Sequence, residues 1–344
     1  MKILYGVQGT GNGHITRARV MARALEKIDC QVDYLFSGRP ETAYFDMAVF
    51  ARKTFRRGLT FAIIDGEIKY RKTLFKNNLW QFMQDVKNCD LSGYDWVISD
   101  YEPITAWACR RQQVPVVGIG HQYVFDYPVP QNKNHWLAKM ITRWFAPTTH
   151  KVPLHWHHFD APILPPIIAI DEPIGETIDH RVLVYLPFEN QQKVAYLLSQ
   201  IRTHQFIIYT PERLSSPYQH VTFKPLSRCT FQTDLHSCDT VIANAGFELS
   251  SEALSLGKKL LVRPLKGQTE QQANAMALLQ LQYGHVIQDL NLKDLVHFLH
   301  KNRRVKITFP DVAGHICQWL ANGLPDRQSD WYAHLWQQVE VVHL

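Results

Sequence analysis

Residues 241–275 read VIANAGFELSSEALSLGKKLLVRPLKGQTEQQANA. Val241, Ile242 and Ala243 open the stretch as a buried strand, which breaks at Asn244-Ala245-Gly246. A short helix follows to about Leu256, with Gly257 where a helix C′ glycine belongs. Leu260 to Val262 is the next apolar run and the next strand. The turn before the helix leaves backbone N–H groups at the positive end of a helix dipole, a ready site for an anion such as phosphate. Glu248 and Glu252 stand at i,i+4 and share a face. A carboxylate beside a diphosphate repels it, so Glu252 suits a ribose better, since two vicinal hydroxyls can donate to its two oxygens. Glu248 reads equally well as a residue that merely complements the helix dipole. Thr269-Glu270-Gln271-Gln272 fits a capping box, with Thr269 as N-cap and Gln272 at N3. Glu270, Gln271 and Asn274 are left to meet a hydroxyl-rich ligand.

This order of parts resembles the donor-binding half of GT-B glycosyltransferases. There a glycine turn, a glutamate on the next helix, a strand ending in proline and a D/E-Q-x-x-N-A helix start grip a nucleotide sugar. The matching residues here are Gly246, Glu252, Pro264 and Glu270 to Ala275. The resemblance implies two Rossmann-like α/β domains facing a cleft, with Gly246, Phe247, Glu252, Glu270, Gln271 and Asn274 on the donor.

The N-terminus tells a parallel story. Residues 3–8 form a strand, Gly9-Thr10-Gly11-Asn12-Gly13-His14 a glycine turn, and Ala18, Met21, Ala22 and Leu25 the buried face of a helix. Strand, glycine turn and helix open a doubly wound α/β domain, and ligands bind at the C-terminal ends of such strands. His14 sits there, and histidine can act as a general base near neutral pH. The loop is similar to the first loop of MurG-like transferases, with Asn12 lengthening it by one residue. That resemblance implies that Gly11, Asn12 and Gly13 face the acceptor and that His14 takes its proton. Strands at 95–99 and 114–119 end at Asp100 and at Gly120-His121-Gln122. A parallel sheet brings Asp100 to the edge that carries His14, where it fixes the histidine tautomer. A role for Asp100 as cap of a helix at 102–110 stays open. His121 and Gln122 are candidates to line the acceptor pocket.

The chain of 344 residues suits two domains of ordinary globular composition, 46% hydrophobic and 20% charged. No apolar run approaches the ~18 residues of a membrane span, and MKILYGVQG is no signal peptide, so a cytoplasmic protein is expected. Six scattered cysteines lack any C-x-x-C pattern. The histidines at 150, 155, 157 and 158 lack a zinc-site spacing, so neither a metal nor a cofactor is indicated. A net charge of +6 permits an anionic partner without choosing one. Phe50, Arg52, Lys53, Phe55, Arg56, Arg57 and Phe61 form a basic, aromatic cluster. Lys69, Tyr70, Arg71, Lys72, Leu74, Phe75, Lys76, Leu79 and Trp80 form another. Both fit an anionic membrane face on the inner side of the membrane, and no nucleic-acid module accompanies them.

The expected division is an acceptor domain at 1–160, a proline-rich linker at 161–178, a nucleotide-sugar domain at 179–325, and a last helix at 326–344 packing back on the first domain. Leu226–Phe231 is expected as a loop that meets the base, and 329–341 as a helix. The resemblance implies an inverting, metal-independent transfer from a nucleotide sugar, with UDP preferred by analogy, to a hydroxyl acceptor that a lipid or cell-envelope precursor would suit. A non-catalytic nucleotide-sugar binder or an epimerase on the same fold remains open, since fold does not fix function. A dinucleotide fingerprint fails, because G-x-G-x-G is not G-x-G-x-x-G.

Overall fold

A computed structural model describes residues 1–60, 63–64, 67–68, 77–131, 143–169, 175–324 and 329–344. Phe61 and residues 69–76 of the expected basic clusters, and 170–174 of the linker, lie outside them. The first half is a parallel sheet of β1 (Lys2–Gln8), β2 (Gln31–Ser37), β3 (Arg52–Arg56), β4 (Trp96–Asp100), β5 (Val116–Gly120) and β6 (His150–Pro153). Its spatial order is β3-β2-β1-β4-β5-β6. The second half repeats the plan with β7 (Ile178–Tyr185), β8 (Gln205–Thr210), β9 (Val221–Pro225), β10 (Cys238–Asn244), β11 (Lys259–Arg263) and β12 (His285–Val286), ordered β9-β8-β7-β10-β11-β12. Each half thus has the doubly wound order, which reverses between its first and fourth strands and opens a ligand crevice beyond their C-terminal ends. These are the two Rossmann-like domains of the GT-B fold.

Crossover helices cover both faces, as parallel sheets require. Helix α1 (Asn12–Leu25) buries Ile15, Ala18, Met21, Ala22 and Leu25 against the first sheet. On the opposite face α2 (Leu79–Asn88) and α3 (Pro103–Gln112) enclose Phe82, Val86, Ile104 and Cys109. In the second half α4 (Gln191–Ser199), α5 (Arg228–Ser237), α6 (Phe247–Ser255), α7 (Thr269–Gln280) and α8 (Leu292–Leu299) do the same work. One apolar cluster runs from Ile3 and Tyr5 through Trp156 to Val241 and Phe247, so the two cores meet at the floor of the cleft. The Trp156 indole N–H donates to Ser251 Oγ of α6 at 2.8 Å. Helix α9 (Val312–Ala321) packs on α1. The Trp336 indole, at the end of α10 (Ser329–Trp336), donates to Ile163 O at 2.7 Å.

Three elements differ from the sequence expectation. Arg52–Arg56 is an edge strand, and two rings of its expected membrane-facing cluster turn inward: Phe50 is fully buried, and Phe55 packs on Phe36 and Tyr44. The last helix stops at Trp336, and Glu340–His343 (β14) pairs antiparallel with Val305–Thr308 (β13), as its β-branched residues prefer. Leu226–Phe231 is not all loop: α5 begins at Arg228, which puts Phe231 on a helix.

Candidate active site

The first wall of the cleft is built at the end of β1. Strand register pairs Val7 with Asp100, so the carboxylate emerges beside the glycine turn. Asp100 does not cap α3. Glu102 does, accepting from the amides of Ile104 at 2.9 Å and Thr105 at 2.7 Å. Asp100 is left free for His14 in the first turn of α1, whose Nδ1 lies 2.7 Å from Asp100 Oδ1. Arg17, one turn further on, grips the same carboxylate through Nε to Oδ2 at 2.8 Å and Nη2 to Oδ1 at 2.5 Å. Arg17 Nη2 also lies 3.1 Å from His14 Nδ1. That nitrogen cannot both donate to the carboxylate and accept from the guanidinium, and the shorter contact to the charged oxygen prevails. A proton on Nδ1 leaves the lone pair on Nε2, the tautomer a general base needs. Burial opposes the charge on Asp100, yet Arg17 and then His14 hold its carboxyl below the usual range.

The inserted Asn12 is used rather than merely tolerated. Its Nδ2 donates to Tyr185 Oη of the second half at 3.1 Å, and its Oδ1 accepts from Arg39 at 2.9 Å. Tyr101 lies parallel to the His14 ring, centroids 6.4 Å apart.

The second wall is built at the end of β10. Gly246 N donates to Asn244 O at 2.8 Å, closing the turn, and Gly246 then serves as N-cap of α6 without a side-chain hydrogen bond. The first-turn amides of a helix have no intrahelical acceptor. A Cβ on Gly246 would meet nothing within 4 Å, so the backbone here faces open space. Glu248 is buried and paired with Arg17 across the cleft. Burial first, with Asp100, Glu252 and Glu270 adding to it against Arg17, pushes its carboxyl up to about 8. Glu252 accepts from Gln232 Nε2 at 3.1 Å, and burial pushes it up to about 7. Phe231 stands edge-on to Tyr185 and Tyr209.

The start of α7 departs from the expected capping box. Gln268, not Thr269, is the N-cap, and no side chain caps the turn. Gln271 instead turns back, its Oε1 accepting from Leu265 N at 2.9 Å and shaping the loop after β11. Asn274 donates to Ala245 O at 3.0 Å, and its Oδ1 lies 2.5 Å from His121 Nε2. His121 is fully buried, stacked on Phe247 with centroids 4.1 Å apart, and burial lowers its basicity. Gln122 Nε2 donates to Glu270 Oε2 at 3.1 Å. His121 and Gln122 therefore tie the first half to Asn274 and Glu270 of α7, a pairing that sequence spacing does not reveal.

Both walls line one cavity of about 430 Å³. It brings together Gly11, Asn12, Gly13, His14, His121 and Gln122 with Gly246, Phe247, Glu252, Glu270 and Gln271. Asp100 and Asn274 lie behind this lining. Arg17, Arg39, Tyr101 and Glu248 join it, and sequence reading gave none of them a part in the chemistry. The three-residue step from His14 to Arg17 is the signal that places both on one helix face. Among the described residues, no group of three or more His, Cys, Asp or Glu side chains could hold a metal ion.

Solved structures of the same fold include a spinosyn rhamnosyltransferase, SpnG, with 15% identity, TM-score 0.60, and 94% of this chain and 96% of that one covered. The glycotransferase of kitacinnamycin aligns with 12% identity, TM-score 0.61 and coverage of 94% and 99%. MurG from Acinetobacter baumannii aligns with 13% identity, TM-score 0.52 and coverage of 93% and 99%. No curated protein matches in sequence. The family model of glycosyl transferase family 1 matches residues 1–302, so the chain belongs to that family and is a glycosyltransferase of the GT-B fold.

Proposed function

We propose that the chain moves a sugar from a nucleoside diphosphate donor, preferably UDP-linked, to a hydroxyl acceptor, with inversion and without a metal ion. His14 Nε2 takes the acceptor proton as its oxygen attacks the anomeric carbon from the face opposite the leaving group. The bond from that carbon to the phosphate oxygen breaks, and its electron pair leaves with the nucleoside diphosphate. The amides at the start of α6 and the helix dipole meet the charge that develops there. Glu252 receives the ribose hydroxyls, and Glu270 the sugar. The observation that carries this reading is the His14–Asp100 pair, 2.7 Å apart, facing the uncapped start of α6 in one cavity. A base so oriented favours transfer over a non-catalytic binder or an epimerase. A structure of SpnG, 14% identical with TM-score 0.56, holds thymidine diphosphate, which supports a nucleoside diphosphate here.

A lipid-linked acceptor drawn from an anionic membrane face fits the surface of the first half. Helix α2 exposes Leu79, Trp80 and Met83, Trp80 to 70%, and exposed Trp144 carries Arg110 over its ring at 4.3 Å. Among the described residues no helix is long and apolar enough to cross a membrane. Apolar tips beside basic heads are what an interfacial contact uses. Thermal shift with a panel of nucleotide sugars, followed by turnover of the stabilising donor by wild type and His14→Ala, tests the core of the proposal. An unchanged His14→Ala rate removes the base, and no stabilisation by any nucleotide sugar removes the donor. Co-sedimentation with neutral and anionic vesicles tests the surface, and equal binding to both rejects it.

A further inference from the structure

Arg17 is the least expected member of the site. Its guanidinium is 1% exposed, and a buried cation persists only where its charge is matched. Asp100 matches the charge and Glu248 takes the remaining donor, and these two acids belong to different halves. Asp100 of β4 takes Nε and Nη2 in a fork, and Glu248, the second residue of α6, takes Nη1. A continuous run of contacts, His14–Asp100–Arg17–Glu248, therefore leads from the catalytic histidine to the turn proposed to hold the diphosphate. Other pairs across the cleft, among them Asn12–Tyr185, His121–Asn274, Gln122–Glu270, Asp46–Arg228 and Trp156–Ser251, join the halves without touching His14 or Asp100.

We propose that Arg17 is a positioning residue that aims the His14–Asp100 pair, and that its grip on Glu248 makes this aim depend on the donor half being seated. When the halves part, Arg17 keeps Asp100 but loses its second anchor, and the carboxylate that orients His14 is held from one side only. When they close, Glu248 fixes the guanidinium, the guanidinium fixes both oxygens of Asp100, and Asp100 fixes the ring. The base is thus aligned where donor and acceptor meet, which limits futile attack by water in an open cleft. The charges facing His14 are Asp100 from β4 and Arg17 from its own helix, and Glu248 from across the cleft reaches it only through Arg17. Tyr101 supplies a neutral ring face. Glu252 and Glu270 act on Glu248.

The inference rests on the transfer reading above. The test compares wild type with Arg17→Gln, Arg17→Lys, Glu248→Ala and Glu248→Gln in a coupled transfer assay, with donor KM, kcat and the pH profile of kcat/KM as readouts. Arg17→Gln is expected to lower kcat about a hundredfold, as misplaced reacting groups do. It also moves the acid limb of the profile upward, because a cation beside the ring is gone. Arg17→Lys restores the limb but not the full kcat, since a point charge cannot fork Asp100. Glu248→Ala lowers kcat about tenfold with donor KM within about threefold, and Glu248→Gln, which still accepts from Nη1, recovers part of that loss. Glu248→Ala at wild-type kcat, or Arg17→Gln with an unmoved acid limb, overturns the proposal. Equal falls in kcat and donor affinity for Glu248→Ala, tracking its melting temperature, overturn it too. A wild-type chain that transfers no sugar from any donor overturns the transfer reading instead.

Discussion

Gly13 and Glu248 touch across the cleft: a Cβ added to Gly13 would lie 2.9 Å from Glu248 Cγ. Glu248 cannot swing aside easily, because Arg17 holds its carboxylate. Gly13→Ala therefore wedges the halves apart, and its kcat is expected to fall more steeply than its melting temperature. Gly11→Ala and Gly246→Ala are the contrast. Their added methyls meet nothing within 4 Å, so thermal stability stays near wild type while substrate affinity drops. Thermal melts beside donor and acceptor titrations check all three.

His14→Ala and Asp100→Asn are expected to part company. Loss of a general base costs about 10²–10⁴ in rate. His14→Ala should show that loss with donor affinity and melting temperature nearly intact. Asp100→Asn removes the same orientation and also leaves Arg17 short of a buried partner, a defect of about 3–5 kcal/mol. Chemical denaturation separates them, and equal stability of the two variants would contradict the buried Asp100–Arg17 pair.

Stability of the substrate-free protein should peak on the acid side of neutral pH. Buried His121 and His155 are held neutral with lowered affinity for protons, so their contribution is lost on acidification, when the unfolded chain binds protons they refuse. Glu248 and Glu252 behave oppositely. With folded values of about 8 and about 7, they bind more protons folded than unfolded, and that contribution is lost as pH rises through this range. Melting temperature should therefore fall between pH 6.5 and 8, and less so in Glu252→Gln. A flat wild-type curve over that interval would contradict the burial of both carboxyls.

Ser251→Ala tests the join between the halves away from the chemistry. It strands the buried Trp156 indole N–H, which costs about 1–3 kcal/mol. The midpoint of urea unfolding should fall accordingly, with donor KM unchanged.

Much of this architecture is legible in the sequence because its signals are local. The strand–glycine–helix pattern recurs at residues 3–25 and 241–256, and each copy places its turn at a strand's carboxyl end. His14 and Asp100 could be matched because a parallel sheet returns every strand to the same edge. What stayed hidden depends on the other half of the molecule. Asn274 looks like a ligand-binding amide until the structure shows its polar atoms bonded to His121 and Ala245, whereas Gln271 bends its Oε1 to Leu265 and still lines the cavity. Glu248 looks like an ordinary first-turn acid until Arg17 arrives from 231 positions away. The closing strand Glu340–His343 was masked because a helical pattern runs up to it and its partner lies at 305–308.

That closing ribbon reaches the chemistry from behind. The strand at 305–308 packs on α6, and Gly257, left-handed at φ 65°, nestles 3.2 Å from Lys306 and 3.6 Å from Leu344 measured at a notional Cβ. Helix α6 is thus clamped fore and aft, by a guanidinium at its head and by the ribbon at its heel. Substitutions at the heel would retune turnover without touching a single substrate atom, and directed evolution of this enzyme has a lever there that lies outside the pocket.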